Sequence, residues 1–436
     1  MTITIGILGT LSVVTEAQSA AAFPDAQASD PVTLGWMVGA PPPADKQIRF
    51  DDLSYYHFPQ LRWSFSHWRE LFPTAEVSRG NGPVSALPRA ERDDLDAVRF
   101  TVLGTTQTMT WKQSLAANYT DGILVMHRGN VVYERYFGAL QADGMHIAHS
   151  VTKSFVGTIA SMLVAEGKID PAAKVTNYVP ELANSAFADA TIRQVLDMTT
   201  SLKFSEVYAD PKAEIWNFAR AAGLFPRPAG YAGPATSYEF LKSMEKEPGR
   251  EHGAGFLYKS PNSELLGWII RRVTGQRLEQ VLSERLWIPL GMEHDAYLEL
   301  DPSGAPIAAG GLNLRLRDLA RFCEMMRAGG RFNGRQVVPA AVIAEIAKGA
   351  SPADFAAAGY KTLPGWSYHN QWWITHNNDG AFGARGVHGQ LCYVDPKAQM
   401  SIVRFASYPQ ATNIYLDPTS LPAYQAMADY LTAHPR

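Results

Sequence analysis

Cysteine is nearly absent from this chain. It has two, Cys323 and Cys392, 69 positions apart in 436 residues, and neither belongs to a C-x-x-C pair. That excludes a thiolate metal cluster and a dithiol redox motif; two buried, inert thiols are the expectation, with a single disulfide left open. Charge of one sign is not in excess either, 39 Lys and Arg standing against 42 Asp and Glu. No bulk field therefore draws the chain to nucleic acid or to anionic lipid. No apolar run reaches the ~20 residues that a membrane-spanning helix needs. A G-x-S-x-G elbow is missing, which argues against an α/β-hydrolase. No basic residue precedes Lys46, so the charged head of a secretory signal is lacking. Residues 3–14 are nonetheless mildly apolar, and residues 17–22 are small enough for signal cleavage. The leader reads as the tail of an export signal, for a periplasmic or secreted protein, or else as a floppy extension.

What is present is an ordinary globular composition, 46% hydrophobic and 19% charged, long enough for two domains or one large one with an insertion. Residues 28–45 carry Pro41, Pro42 and Pro43 in a row and read as an extended arm. Aromatic residues crowd 50–72, a density that suits packing against a sheet. Residues 123–137 form a hairpin, two β-prone runs joined across Arg128, Gly129 and Asn130. From about 156 to 350 the pattern is helical: a capped helix at 191–198, an apolar one at 265–273 stopped by Gly275, and another at 312–327 stopped by Gly329 and Gly330. After Gly365 the chain turns to strands at 371–374, 389–394 and 400–405, with a closing helix at 422–433. The expected fold is α/β (α+β): an antiparallel sheet built from both ends of the chain, flanked by helices, with a mostly helical region inserted. The expected division is a leader and arm at 1–49, an α/β domain from 50–155 with 360–436, and a helical domain at 156–359.

The chemistry is seated at 146–159, His-Ile-Ala-His-Ser-Val-Thr-Lys-Ser-Phe-Val-Gly-Thr-Ile. Ser150 and Lys153 stand three residues apart at the head of a helix apolar on most sides, so they share one face. A serine hydroxyl needs a neighbouring base to become a nucleophile, and a lysine serves once burial lowers its pKa. The rival possibility is an N-cap serine followed by a surface lysine. A second copy, Ser243 to Lys246, lies among Lys242, Glu245 and Glu247 and reads as a solvated helix end. Tyr258 stands on a loop before Ser260-Pro261, where Lys153 and Lys259 could hold it as a phenolate or let it share its proton, so that it acts as a base toward Ser150. Gly386-Val387-His388-Gly389-Gln390 leads into a strand whose backbone N–H could serve as half of an oxyanion hole. His146 and His149 lack a third ligand and suit packing around the nucleophile better than a metal. Trp366, Tyr368, Trp372 and Trp373 could wall a cleft or fill the core.

The ordered set of S-x-x-K, a tyrosine 108 residues later, and a glycine-bearing strand near the C-terminus resembles the serine β-lactamase and penicillin-binding-protein superfamily. Its class C and esterase branch, and within that the 6-aminohexanoate-dimer hydrolases, are most similar. The phrases that carry the likeness are YKSPNSELLGW around Tyr258, MTTSLKFSEVYADP at 198–211 and GVHGQLCYVDP at 386–396. The resemblance covers roughly residues 95–430. It implies a cofactor-free, metal-free serine hydrolase acting on small esters or amides, with no nucleic-acid or membrane partner and oligomeric state open, a homodimer included. It implies Ser150 as nucleophile, Lys153 and Tyr258 as the proton-handling pair, the N–H groups of Ser150 and Gln390 as the oxyanion hole, and Tyr208 on the scissile amide nitrogen. His388, Gly389 and Trp373 are expected to touch substrate. Two departures stand out: Ser260 occupies the place of asparagine in Tyr-x-Asn, and Val387-His388-Gly389 replaces Lys-Thr-Gly. The second removes the cation that grips a β-lactam carboxylate, unless Arg385 substitutes. The literal Lys361-Thr362 precedes Leu363 and reads as a decoy. A β-lactamase, a D-amino-acid peptidase or a penicillin-binding sensor that does not turn over is the alternative function.

Overall fold

A computed structural model describes residues 23–435 of the chain; the leader on which the export expectation rests lies at 1–22, outside them. The predicted hairpin is β1 (Thr120–His127) and β2 (Asn130–Tyr136), turning at Arg128 and Gly129 with left-handed φ of 51° and 81°. Late in the chain come β3 (Ser367–His369), β4 (Trp372–Ile374), β5 (Phe382–Gly386), β6 (Gln390–Asp395) and β7 (Met400–Ala406). Together they make one seven-stranded sheet in the order β3-β4-β5-β6-β7-β1-β2, antiparallel throughout. The two ends of the chain meet where β7 lies against β1, with Arg404 opposite Ile123.

Every residue of β1 is buried, so its alternation divides two apolar faces and not core from solvent. Leu124 and Met126 enter one cluster with Val403 and Phe405, while Ile123 and Val125 enter another with Met400 and Ile402. Helices cover both faces. Helix α1 (Trp111–Ala117), opened by a Thr110/Gln113 capping box, packs on the second cluster. Helix α2 (Val151–Ala165) is buried along thirteen of its fifteen residues, and α3 (Pro261–Thr274), ended by left-handed Gly275, lies against it. Helix α4 (Leu316–Arg327) closes the first face, and Phe322 stacks on Phe155 of α2 at 3.7 Å. Helix α5 (Asp417–Ala433) joins α1 on the other side.

The structure departs from the sequence reading at three places. Residues 312–314 are a strand, not the first turn of α4; they pair with Ala296–Glu299 and His146–Ile147 in a second sheet that also holds Thr74–Val77. Leu-Asn-Leu is too short for period two to be told from a helical stripe. Helix α5 starts at Asp417, five residues before Pro422, which sits inside it. The carbonyl that Pro422 leaves without its helical N–H, that of Pro418, accepts from Leu103 N at 2.9 Å instead. Cys323 and Cys392 are buried, as expected, but form a disulfide with Cα atoms 5.8 Å apart. Helix α4 crosses β6 at that point, a contact that a separation of 69 residues does not reveal. Elements inside 156–359, α4 and the strands at 296–299 and 312–314 among them, pack onto partners outside it.

Helix α2 is seated by a close approach at Gly157. A Cβ there would lie 2.4 Å from the Asn370 carbonyl oxygen and 2.5 Å from the Gln371 Cβ, so the turn between β3 and β4 rests directly on helix backbone. Gly157→Ala should therefore destabilise the protein by about 1–3 kcal/mol through overpacking, despite the better helix propensity of alanine. Thermal unfolding of the variant, with an unshifted or raised midpoint as the contrary outcome, checks this.

Candidate active site

Ser150 precedes the first turn of α2 with φ −67° and ψ −4°, and its hydroxyl does not cap the helix. The backbone just before it is tightly bent, His149 holding a left-handed φ of 44°. Lys153, one turn on, is 1% exposed. Its Nζ donates to Ser150 Oγ at 2.8 Å and to the Ala309 carbonyl oxygen. The alternative of a capping serine beside a surface lysine is thus not what the fold makes. Burial pushes the Lys153 ammonium down to about 8, against the opposing pull of the Glu206 and Glu264 carboxyls. An amine with a pKa near 8 is neutral in only about a fifth of molecules at pH 7.4 and in most of them above pH 8, and in that neutral form it can accept the Ser150 proton.

Tyr258 lies on the loop leading into α3, half-buried, its ring stacked on Trp373 at 5.3 Å and edge-on to Tyr368 at 5.8 Å. Lys153 Nζ sits 5.3 Å from the ring centre. The phenolate expectation does not hold. Burial, and then Glu206, raise the Tyr258 phenol well above its ordinary range, opposed by its hydrogen bond with Ser150. Lys259, the second cation expected beside it, turns away to Glu247 at 3.0 Å and to the Leu202 carbonyl. Tyr258 is held as a neutral phenol, a proton donor.

Glu206 is the residue that reasoning from sequence missed. Its carboxyl accepts from Ser260 N at 3.0 Å and Ser260 Oγ at 2.5 Å, and Ser260 is the residue standing in the asparagine position after Tyr258. Glu206 thus ties the loop of residues 198–211 to the start of α3 and faces Lys153, Tyr258 and Tyr208 electrostatically. The one available signal was its place two residues before Tyr208.

Ser150 opens onto two cavities. A narrow one of about 100 Å³ is walled by Tyr55, Trp68, Trp216, Phe225 and Ile307 and includes Lys153 and Glu299. The aromatic segment at 50–72 therefore packs, as expected, and also walls the site. A wide cavity of about 670 Å³ holds Glu206, Tyr258, Trp373, Arg385 and His388. Tyr208 and Val387 line both. Trp372 is core, bonded to Thr158 Oγ1 at 3.2 Å, whereas Trp373 faces the cavity.

Gly386 approaches the nucleophile so closely that a Cβ there would lie 2.7 Å from the Ala148 carbonyl oxygen. Val387 is the turn residue that borders Ser150 on both sides. Gln390 and Gly389 line neither cavity: the Gln390 side chain is spent on Ala406 and Val387, and Gly389 packs on Leu416. His388 reaches the wide cavity with its Nδ1 against the Tyr408 carbonyl at 2.7 Å and Nε2 3.3 Å from Tyr56 Oη. Arg385 is bound to Asp417 and flanked by Trp366 and Trp373 at 5.6 and 5.5 Å. Thr362, the decoy, also donates to Asp417. Ser243 and Lys246 of the second S-x-x-K point apart, Lys246 pairing with Asp189. His146 faces Asp121, and among the described residues no group of acids, histidines and cysteines suits a metal ion.

Residues 113–417 match the family model described as Beta-lactamase. An enzyme named 6-aminohexanoate-dimer hydrolase, from Paenarthrobacter ureafaciens, is 37% identical over 357 residues, covering 82% of this chain and 88% of that one. The solved structure of a candidate 6-aminohexanoate-dimer hydrolase from Bacillus anthracis superposes with a TM-score of 0.81 at 32% identity, over 90% of this chain and all of that one. A family VIII carboxylesterase shares the fold at a TM-score of 0.52 and 19% identity, over 72% of this chain and 96% of the other.

The depressed Lys153 pKa carries a stability cost with a defined pH window. Folded, the amine titrates near 8; unfolded, near its ordinary value of 10.5. Below 8 both states are protonated and the cost of the buried ammonium is complete; above 10.5 both are neutral and it vanishes. Relative to Lys153→Met, wild-type stability should therefore rise between pH 8 and 10.5, by up to about 3 kcal/mol. Denaturant titrations of both proteins across that range test it, and a constant difference would refute the depressed pKa.

Proposed function

The chain belongs to the Beta-lactamase family and is a serine hydrolase, and on that premise we propose that it cleaves small esters and linear amides through an acyl-enzyme on Ser150. The observation that carries this is the 2.8 Å contact between a buried lysine amine and the Ser150 hydroxyl. As the Ser150 Oγ bonds to the substrate carbonyl carbon, its proton passes to neutral Lys153. The developing oxyanion is met by the N–H of Ser150 at the head of α2, where the helix dipole assists. We assign the second donor to the N–H of Val387 in place of Gln390, since Val387 borders Ser150 and Gln390 does not. When the C–O or C–N bond breaks, the leaving group takes the Tyr258 proton. Lys153 returns its proton to the phenol, and water then repeats the attack to release the acid. Glu206 positions Ser260 and the Tyr208 loop; Tyr208, bordering both cavities, suits contact with the scissile amide nitrogen.

The two cavities divide the substrate. Tyr258 lines the wide one only, so the leaving group lies there and the acyl chain enters the narrow one. Glu299 in the narrow cavity accepts from Trp68 Nε1 at 3.1 Å through one oxygen, while the other is buried without a partner. Burial raises this carboxyl to about 8, which leaves it ready to give up its proton beside an ammonium. A linear acyl chain ending in a primary amine fits, and the dimer named for the Paenarthrobacter enzyme has such a chain. The β-lactamase and D-amino-acid peptidase alternatives need a cation for a substrate carboxylate, and the candidate for it, Arg385, is paired with Asp417.

A fluorophosphonate probe followed by peptide mapping should label Ser150 alone; modification elsewhere would remove it as nucleophile. With a p-nitrophenyl ester, kcat/KM should climb as pH passes about 8 and level off above it, because Lys153 must be neutral in the free enzyme. Lys153→Met should lower kcat by about 10³-fold and erase that limb. The 6-aminohexanoyl ester should be hydrolysed about 10-fold more efficiently than the hexanoyl ester at pH 7, and Glu299→Gln should bring the two to parity. Equal efficiencies in wild type would overturn the role of Glu299 but leave Ser150 and Lys153 in place.

A further inference from the structure

A third and much smaller cavity of about 20 Å³ adjoins the wide one at Arg385, Asn413 and Asp417 and lies against the start of α5. Its charged lining is Arg385, Arg404 and Asp417. Two guanidinium groups thus share one carboxylate. Both oxygens of that carboxylate are engaged, one by Arg385 and the other by Thr362 Oγ1 at 2.5 Å. Arg404 is 4% exposed and forms no ion pair among the described residues. Its Nε donates to the Gly389 carbonyl at 2.9 Å and its Nη1 to Ser420 Oγ at 2.9 Å. Tyr424, 3% exposed, also lines the cavity, and its hydroxyl is buried with no hydrogen-bond partner.

A net positive charge buried this deeply is costly unless a counter-charge accompanies it, because desolvation removes the water that would otherwise stabilise it. Burial lowers the Arg404 pKa from its ordinary value, the direction that an uncompensated guanidinium gives, although arginine stays protonated. The cavity also sits at the positive end of a seventeen-residue helix. Its volume admits a single ion of about the size of water and excludes a carboxylate-bearing substrate. The groups that face it are an excess guanidinium, an unpartnered phenol donor and the Ser420 hydroxyl; opposing an anion are Asp417, which Arg385 neutralises, and the unpartnered Oδ1 of Asn413.

We propose that this cavity is a binding site for a small monovalent anion of the halide class, held by Arg404 and the Tyr424 hydroxyl. Through the Arg404 contact to the Gly389 carbonyl, the bound ion stiffens the turn that carries Val387 to Ser150. The ion takes no part in the bond changes of acyl transfer, although Arg385 and Asp417 line this cavity and the wide one alike.

The test compares sodium chloride with sodium gluconate, whose anion is too large for the cavity, at one fixed ionic strength. Chloride should raise the Tm saturably, by about 1–2 °C, as expected of a ligand that binds only the folded state. Tyr424→Phe, which keeps the ring and removes only the hydroxyl, should weaken the half-saturating chloride concentration by about 10-fold. Arg404→Met should abolish the chloride effect. Should Arg404→Met fail to fold, the Tyr424→Phe comparison and a bromide soak of wild-type crystals still decide, with anomalous signal expected between Arg404 and Tyr424. Identical melting in the two salts overturns the proposal. So does a bromide peak without any chloride dependence in solution, which would mean binding at crystal concentration only.

Discussion

A lysine amine held in a dry place against a serine hydroxyl is the constraint on which the rest of this structure depends. Lys153 costs the fold stability wherever it is protonated, since its ammonium has only Ser150 and the Ala309 carbonyl for partners. No carboxylate forms an ion pair with it among the described residues. That omission matters chemically. A carboxylate at contact distance would hold the ammonium charged and useless as a base. Glu206 and Glu264 lie near enough to act electrostatically, yet burial raises both of their own pKa values. Burial thus disfavours charge on the carboxyls around the lysine as well as on the amine itself.

The architecture serves that contact. Helix α2 is buried nearly all round because it must carry Ser150 and Lys153 into the seam between the seven-stranded sheet and the helices that follow. Gly157 lets the β3–β4 turn press on its backbone, and Ser154 donates to the Gln371 carbonyl at 2.7 Å in the same turn. The opposite wall comes from β5, brought to Ser150 by Gly386. The helix head is therefore clamped between two loops of one sheet, and a nucleophile and its oxyanion donors keep their spacing without relying on a mobile segment.

Much of this was legible in the residues, for reasons that can be stated. The hairpin at 123–137 and the strands after 365 showed because β-branched and aromatic runs broken by Gly and Asp-Pro have few other ways to fold. The helix at 265–273 showed because Gly275 ends it. Ser150, Lys153 and Tyr258 were nameable because spacing and order are one-dimensional properties. What stayed hidden was whatever depends on which way a side chain turns. Lys259 adjoins Tyr258 in sequence but faces Glu247, and the Gln390 side chain, next to the glycine turn, turns to Ala406. Glu206 was invisible because its partner, Ser260, lies 54 residues away. The disulfide escaped because two cysteines at arbitrary spacing carry no geometric information until a helix is laid across a strand.

The same logic explains why substitution of Ser260 for asparagine and of Val387-His388 for Lys-Thr need not weaken catalysis while narrowing what is accepted. Ser260 retains a hydroxyl, but Glu206 occupies it, so the group is a strut and not a substrate donor. With the edge-strand lysine gone, the charge nearest the leaving group is Arg385, and Asp417 neutralises it between two tryptophans. The wide cavity is consequently aromatic and close to electrically neutral where a β-lactam-cleaving enzyme needs a cation for the substrate carboxylate. On the other side of Ser150 the narrow cavity holds Glu299, a buried carboxyl whose pKa burial raises to about 8. On the proposed division of the substrate, a site without a free cation on the leaving-group side and with a buried acid on the acyl side would favour amines over acids.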